Sequence, residues 1–201
     1  MAKFMEEIKD ILEYIDIKYN KQLFIDLFNK CEPIEPTKFL ETTSISKALI
    51  TKESFRKDWK EILNHHAKVH YVFDIHATGF NYSNDDGYMP AHVDLAKQRH
   101  YNLLLPIFGA AEINIYETPK NIKLTFMHNQ THWQVPEDYS NKNLTKMGTV
   151  KIDKPVLLNT DYLHDVKIIK APRLNWVTRW YGMKNYTFSE FKNLVEVTLN
   201  V

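Results

Sequence analysis

Two histidines and one aspartate are the side chains of this sequence with the clearest capacity for chemistry. His92 and Asp94 stand two positions apart, and on a strand such residues point to the same face of the sheet. His164 stands far downstream, at the start of the run His164–Ile169. Together the three would form a set of two imidazoles and one carboxylate that binds a single metal ion. Such a set leaves positions open on an octahedral ion, an arrangement that suits non-haem Fe(II).

Arg173 is a candidate for binding an acidic ligand near this set. It follows His164 by nine residues, and arginine is rare in a chain that has four arginines and twenty-two lysines. A planar guanidinium can bind a carboxylate through two parallel hydrogen bonds, which favours arginine over lysine for this task. Arg179 competes for the same role, because it lies six positions further along and an even spacing on a strand puts both residues on one face.

The other histidines give weaker signals. A His-x-Asp pair alone arises easily by chance in a chain with nine histidines, so the pair gains weight only from the downstream residues. His65 and His66 end a predicted helix, where a favourable interaction with the helix dipole explains them. His128 and His132 have metal-ligand spacing only on a helix, and the Asn and Thr residues around them favour a loop.

Two amphipathic patterns predict a helical layer at the start of the chain. Apolar residues recur at three- and four-residue intervals over Phe4–Lys30, with an interruption near Asn20, and the Pro residues that follow end the pattern. A second pattern runs over Thr51–His66, with Thr51 as its N-cap. Residues 1–67 are therefore predicted to form a helical support layer.

Beyond residue 68 the pattern changes to short runs rich in β-branched and aromatic residues. Such runs, separated by Gly, Pro, Asn and Asp, predict a sandwich or barrel rather than alternating β-α units. Residues 68–201 are the predicted core, within one structural domain overall. The polar segment 118–148 is an excursion of open role, with a hairpin around Lys123–Met127. The predicted strands are Val69–Ile75, Tyr101–Phe108, Glu112–Tyr116, Val156–Leu158, Val166–Ile169 and Asn175–Tyr181.

Composition restricts the partners and the compartment. The chain has 201 residues, and its 26 basic and 25 acidic side chains leave a formal charge of +1, which disfavours nucleic acid as a partner. A single cysteine, Cys31, excludes an intramolecular disulfide framework and favours a reducing compartment. The start lacks the apolar centre of a signal peptide, and no long apolar run predicts a membrane span. We expect a cytoplasmic location, in a bacterium or a phage-infected cell.

The order and spacing of His92-x-Asp94, His164 and Arg173 resemble those of the Fe(II)/2-oxoglutarate-dependent oxygenases. In that superfamily a His-x-Asp pair is followed, after a long gap, by a histidine and, nine or ten residues later, by Arg or Lys. The resemblance covers roughly Tyr71–Tyr181. It includes Tyr82, which stands ten residues before the first metal histidine, where prolyl-hydroxylase-like members carry a tyrosine that reaches 2-oxoglutarate.

The subfamily stays open between two kinds of member. Gly87-Tyr88 and Trp180-Tyr181 are similar to prolyl-hydroxylase-like members, whereas Asn159-Thr160 and the segment Arg99–Pro106 are more similar to aspartyl/asparaginyl-hydroxylase-like members. Asp94 is the carboxylate that halogenases of the superfamily lack. Its presence favours hydroxylation.

The resemblance implies a mainly β fold with flanking helices (α+β), a double-stranded β-helix (jelly roll, cupin-like) core supported by N-terminal helices. It implies Fe(II), O₂ and the cosubstrate 2-oxoglutarate, with His92, Asp94 and His164 as the metal-binding catalytic residues. Arg173 would bind 2-oxoglutarate with help from Tyr82 and Asn102. The substrate would be a peptide side chain, an amino acid or a small metabolite. The alternatives are a non-catalytic cupin-like metal-binding or structural module and a metal-dependent hydrolase.

Overall fold

The structure, a computed structural model, describes residues 8–29, 37–39, 43–49, 79–83, 86–94, 99–119, 122–126, 133–136, 143–181 and 186–199. These residues form eleven strands and two helices. In chain order the elements are β1 (Leu12–Tyr14), α1 (Lys21–Asn29), β2 (Thr37–Phe39), β3 (Thr43–Leu49), β4 (Gly79–Ser83), β5 (Tyr88–Asp94), β6 (Arg99–Tyr116), β7 (Leu124–Phe126), β8 (Trp133–Pro136), β9 (Lys146–Ile152), β10 (Val156–Asn159), β11 (His164–Tyr181) and α2 (Phe188–Leu199).

Two long antiparallel strands, β6 and β11, each cross from one sheet to another. The half of β11 that begins at His164 pairs with the half of β6 that ends at Tyr116. These two halves also pair with β5 and β9, which gives the order β5–β11–β6–β9, here called the minor sheet. The opposite arms pair with β4 and β10, which gives the order β4–β11–β6–β10, here called the major sheet. These two sets of four antiparallel strands share the crossing strands and form the core of a double-stranded β-helix, so the predicted jelly-roll core is confirmed. Further strands extend both sheets: β1 pairs with β10, β3 and then β2 follow β4, and β8 pairs with β5.

The strands cross between the sheets at a tight corner. Gly109 has a φ of +73°, and a Cβ atom there would lie 2.6 Å from the Lys170 carbonyl oxygen and 2.7 Å from the Arg173 Cα atom. Only glycine permits this backbone conformation and this close approach together. The sequence pattern predicted separate strands on either side of this corner, but they are arms of β6 and β11.

The apolar residues divide between the interior of the barrel and the helical side of the major sheet. Residues from both sheets, including Leu104, Ile113 and Val177, share one cluster between the sheets. On the other face of the major sheet, Trp176 packs against Phe24 of α1 with ring centroids 5.6 Å apart. Helix α2 adds further apolar side chains to that outer cluster. The major sheet is therefore buried on both faces.

The N-terminal prediction is wrong in part. A helix was predicted over Phe4–Lys30, but within the described residues of this segment the helix covers only Lys21–Asn29. It begins after Asn20, whose Oδ1 accepts from the backbone of Gln22 at 3.0 Å, and that is where the pattern was interrupted. The apolar residues at 8–14 belong to a turn and to β1, which pairs with β10 at the sheet edge. Ile15, Ile17 and Tyr19 lie between β1 and the helix. The predicted elements Thr51–His66 and Val69–Ile75 lie outside the described residues.

Two further elements bear on the sequence analysis. The hairpin expected around Lys123–Met127 matches the antiparallel pair β7–β8. Strand β8 also pairs with β5. Helix α2 was not predicted, although Thr187 and Glu190 form a reciprocal capping box in which Thr187 N donates to Glu190 Oε2 at 2.8 Å. No helix in the described part of the chain is long and apolar enough to cross a membrane.

Candidate metal centre

Strands β5 and β11 bring His92, Asp94 and His164 together at one end of the barrel. His164 is the first residue of β11 and pairs directly with His92, and one ligand atom from each of the three residues lies within 4.8 Å of the others. All three side chains are buried. Adjacent ligand atoms on an octahedral ion with bonds of about 2.1 Å lie about 3 Å apart. The group can therefore bind one metal ion with small side-chain adjustments.

Both imidazoles are held in the orientation that a metal ligand needs. His92 Nδ1 lies 2.8 Å from the carbonyl oxygen of Pro90, and His164 Nδ1 lies 2.8 Å from that of Tyr162. A carbonyl oxygen only accepts, so each Nδ1 carries the proton and each Nε2 keeps its lone pair. Hydrogen bonding of the second ring nitrogen to a carbonyl is typical of histidines that bind metals.

Asn102 holds the carboxylate of the set. Its Nδ2 donates to Asp94 Oδ2 at 2.9 Å, while Asp94 Oδ1 lies 3.5 Å from His92 Nε2. The backbone N–H of Asp94 donates to the Thr160 carbonyl oxygen at 3.1 Å. The sequence analysis predicted that Asn102 helps to bind 2-oxoglutarate. The structure shows that its Nδ2 contacts Asp94, and the binding role stays a prediction.

Arg173 is buried between the sheets, at 5% exposure. It alternates along β11 with Leu174 and Trp176, which pack on the helical side, so it shares the interior face with Val177. Burial lowers the pKa of its guanidinium from 12.5 to about 10. Among the described residues its Nε has no hydrogen-bond partner, and no carboxylate forms an ion pair with it.

Asn175, two residues further along the same face, is a second buried polar side chain. It is 1% exposed, and within the described part of the chain neither its Oδ1 nor its Nδ2 has a hydrogen-bond partner. A buried amide without partners costs about 1–3 kcal/mol. The sequence analysis did not single out Asn175, and its two-residue spacing from Arg173 is the signal that would have found it.

Tyr82 lies on the other face of the major sheet. It pairs with Leu174 in the β4–β11 register, whereas Arg173 pairs with Ser83. The Tyr82 ring packs against Phe28 of α1 with centroids 5.1 Å apart. The expectation that Tyr82 helps Arg173 is therefore corrected, because neighbouring residues of a strand point to opposite faces.

The remaining candidates are described only in part. Arg179 pairs through its backbone with Asn102, and its side chain lies outside the described residues, as do His65, His66, His128 and His132. The choice between Arg173 and Arg179 therefore rests on the burial of Arg173.

No protein-family model and no curated protein sequence matches the chain. Among solved structures, the chain is similar to a Pseudomonas putida prolyl-4-hydroxylase, with 10% identity and a TM-score of 0.43 over 90% of this chain and 97% of that one. It is also similar to E. coli ycfD, with 9% identity and a TM-score of 0.45 over 75% of this chain, which spans only 37% of ycfD. A hydroquinone 1,2-dioxygenase solved with Cd2+ and 4-hydroxybenzonitrile has 12% identity and a TM-score of 0.33 over 52% of this chain and 58% of its own. Because these similarities are weak, the fold assignment rests on the strand pairing described above.

Proposed function

We propose that the protein is an Fe(II)- and 2-oxoglutarate-dependent dioxygenase that hydroxylates a peptide side chain, an amino acid or a small metabolite. The observation that carries the proposal is the combination of a buried His92–Asp94–His164 set with a buried guanidinium, Arg173, on the interior face of the same barrel. A metal-binding module without turnover has no need for that buried cation.

The donor set fits a divalent ion of the first transition series. Two imidazole nitrogens and one carboxylate oxygen form the facial set found in non-haem Fe(II) oxygenases, which bind the ion while leaving coordination positions open. The Nδ1 hydrogen bonds of His92 and His164 leave both Nε2 atoms ready to bind. His92, Asp94 and His164 would therefore hold the ion.

The side chains around the ion would each have a separate task. When bound, Fe(II) with 2-oxoglutarate and O₂ supplies the oxidising power for hydroxylation of a C–H bond. Asn102 would keep the Asp94 carboxylate turned toward the histidines. Arg173 would bind the distal carboxylate of 2-oxoglutarate through its guanidinium, and Asn175 on the same face would offer a further hydrogen bond. The apolar interior would exclude water from this ligand.

Composition alone supports the proposed substrate class and location. A formal charge of +1 disfavours nucleic acid as a partner, so we extend the proposal to a peptide or small-molecule substrate. The proposed location is the cytoplasm, without a membrane partner.

Thermal unfolding with Mn(II) as a redox-inert substitute for Fe(II) tests the proposal. We expect 2-oxoglutarate to raise Tm by about 5–10 °C at concentrations near 100 times Kd, and only when Mn(II) is present. With Fe(II) and O₂, the protein should convert 2-oxoglutarate to succinate. Stabilisation by 2-oxoglutarate that does not depend on a metal, or no succinate with any surrogate substrate, would contradict the proposal.

Arginine variants separate the proposal from its alternatives. Arg173→Ala should weaken 2-oxoglutarate binding by about 100-fold, since a buried charge pair loses one partner, and should leave the Mn(II) effect in place. Lys170→Ala is the matched control, because it removes an exposed cation from the same strand, and Arg179→Ala tests the competing arginine. A metal effect without a 2-oxoglutarate effect would indicate a binding module, and metal-dependent hydrolysis that survives Arg173→Ala would indicate a hydrolase.

A further inference from the structure

Asp165 is a buried carboxylate directly behind the candidate metal centre. It follows His164 in β11 and is 1% exposed. His164 pairs with Ile115, a residue of the interior cluster, whereas Asp165 pairs with Asn114. Since neighbouring strand residues alternate, Asp165 lies on the outer face of the minor sheet, opposite the metal ligands.

Four donors converge on this carboxylate. Its Oδ1 accepts from Asn114 Nδ2 at 2.7 Å and from the Asn114 backbone N–H at 3.3 Å. Its Oδ2 accepts from the Tyr116 hydroxyl at 2.5 Å and from the Tyr88 hydroxyl at 3.0 Å. Burial, and next the negative charge of Asp165, raise the pKa of Tyr88, so this hydroxyl remains a donor. A buried carboxylate is stable only with such complete hydrogen bonding.

The network reaches every strand of the minor sheet. Asp165 lies on β11, Tyr88 on β5, and Asn114 with Tyr116 on β6. Asn114 Oδ1 in turn accepts from the Thr149 hydroxyl on β9 at 2.5 Å. One carboxylate thus connects the strand that carries His164 to the strand that carries both other metal ligands.

This connection lies where the backbone pairing is irregular. The register of β5 and β11 shifts between the pair His164–His92 and the pair Val166–Met89. A shifted register interrupts the regular ladder of backbone hydrogen bonds. Asp165 lies at this interruption, and its side-chain bond to Tyr88, which pairs with Lys167 beyond the shift, links the two strands across it.

We propose that Asp165 is a positioning residue for metal binding, which fixes the separation of His164 from His92 and Asp94 by clamping β11 to β5 and β6 on the opposite face of the minor sheet. This proposal rests on the metal site of the proposed function. Residues that orient metal ligands typically change metal affinity by about 10–100-fold when they are replaced. Asp165 acts through the backbone and not on the ligand itself, so the lower end of that range applies.

The test compares Mn(II) affinity, measured by calorimetry, and the visible absorption spectrum of bound Co(II) in a set of variants. Asp165→Asn should raise the Mn(II) Kd by about tenfold and change the Co(II) spectrum, because the angles between the ligands change. Glu112→Gln is the matched control: it removes a carboxylate from β6 that pairs in register with Lys167 of β11, and it should leave both readouts within about twofold of the unsubstituted protein.

Single hydroxyl deletions keep the proposal testable if Asp165→Asn does not fold. Tyr88→Phe and Tyr116→Phe each remove one donor and leave the carboxylate in place, and each should raise the Mn(II) Kd by about two- to fivefold. A folded variant set with unchanged Mn(II) affinity and an unchanged Co(II) spectrum would overturn the positioning role while leaving the metal site intact. An unsubstituted protein that binds no Mn(II) would instead overturn the proposed function and this inference with it.

Discussion

The two sheets of the barrel treat their buried polar groups in different ways. In the minor sheet, His92 and His164 each have a carbonyl partner for Nδ1, and Asp165 accepts from four donors. On the interior face of the major sheet, Arg173 Nε and the Asn175 amide lack hydrogen-bond partners among the described residues. The first region is organised before any ligand binds, whereas the second carries a free-energy cost that a polar ligand would relieve.

This difference matches two requirements of the proposed oxygenase site. A metal centre binds best when its ligands are already oriented, because little conformational freedom is then lost on binding. A pocket for a charged cosubstrate needs an opposite charge that no protein group neutralises. The expected results of substitution therefore differ in sign between the two regions.

The largest effect is expected in the organised region. Asp94→Ala should weaken Mn(II) binding by about 100-fold or more, because it removes a proposed ligand outright where changes to outer residues alone cost 10–100-fold. It should also lower the free energy of unfolding of the metal-free protein by about 1–3 kcal/mol, since Asn102 Nδ2 loses its buried acceptor. Calorimetry with Mn(II) and thermal unfolding measure the two effects. Asp86→Ala, at an exposed aspartate just before β5, is the control, and equal losses in both variants would argue against a metal ligand at Asp94.

The next effect has the opposite sign. Arg173→Met should raise the free energy of unfolding of the metal-free protein by about 1–3 kcal/mol. It replaces a buried cation, which has no ion pair within the described part of the chain, with an apolar side chain. A pKa lowered from 12.5 to about 10 corresponds to a cost of about 3 kcal/mol for burying the charged form. The folded state binds this proton less tightly, so the cost is fully present below pH 10 and fades as the pH rises from 10 to 12.5.

Thermal unfolding between pH 7 and 9 checks this prediction, with 2-oxoglutarate binding as the second readout. The variant should gain stability and lose the proposed binding of 2-oxoglutarate, and the gain should be constant over that range, since Arg173 stays protonated throughout it. A variant with lower Tm would mean that a group outside the described residues compensates the charge, and the contrast between the two sheets would then disappear.

The three residues of the candidate metal centre could be predicted from the sequence, because alternation on a strand puts His92 and Asp94 on one face and the fold has to supply only His164. The sequence did not predict on which face of the sheet Tyr82 lies relative to Arg173, because this depends on the β4–β11 register, which no local pattern determines. Nor did it show that Asn102 donates to Asp94, because a contact between side chains of different strands depends on the fold. The spacing of Ile8, Ile11 and Leu12 fits a helix, but a turn followed by an edge strand buries the same residues. Periodicity alone therefore predicted a helix where none forms.

The smallest effect tests whether the unfavourable burial of polar groups is confined to the interior face of the major sheet. Tyr19, which precedes α1, donates its hydroxyl to the Pro106 carbonyl oxygen of β6, and burial raises its pKa from 10.0 to about 12. Because the folded state holds this proton more tightly, Tyr19 adds stability that is fully present below pH 10 and is lost as the pH rises toward 12. Tyr19→Phe should therefore lower the free energy of unfolding by about 1 kcal/mol at neutral pH and make the decline in stability above pH 10 shallower. Denaturant unfolding at pH 7 and at pH 10.5–11.5 measures both. A gain in stability, as expected for Arg173→Met, would show that unfavourable burial of polar groups extends to the helical side of the major sheet.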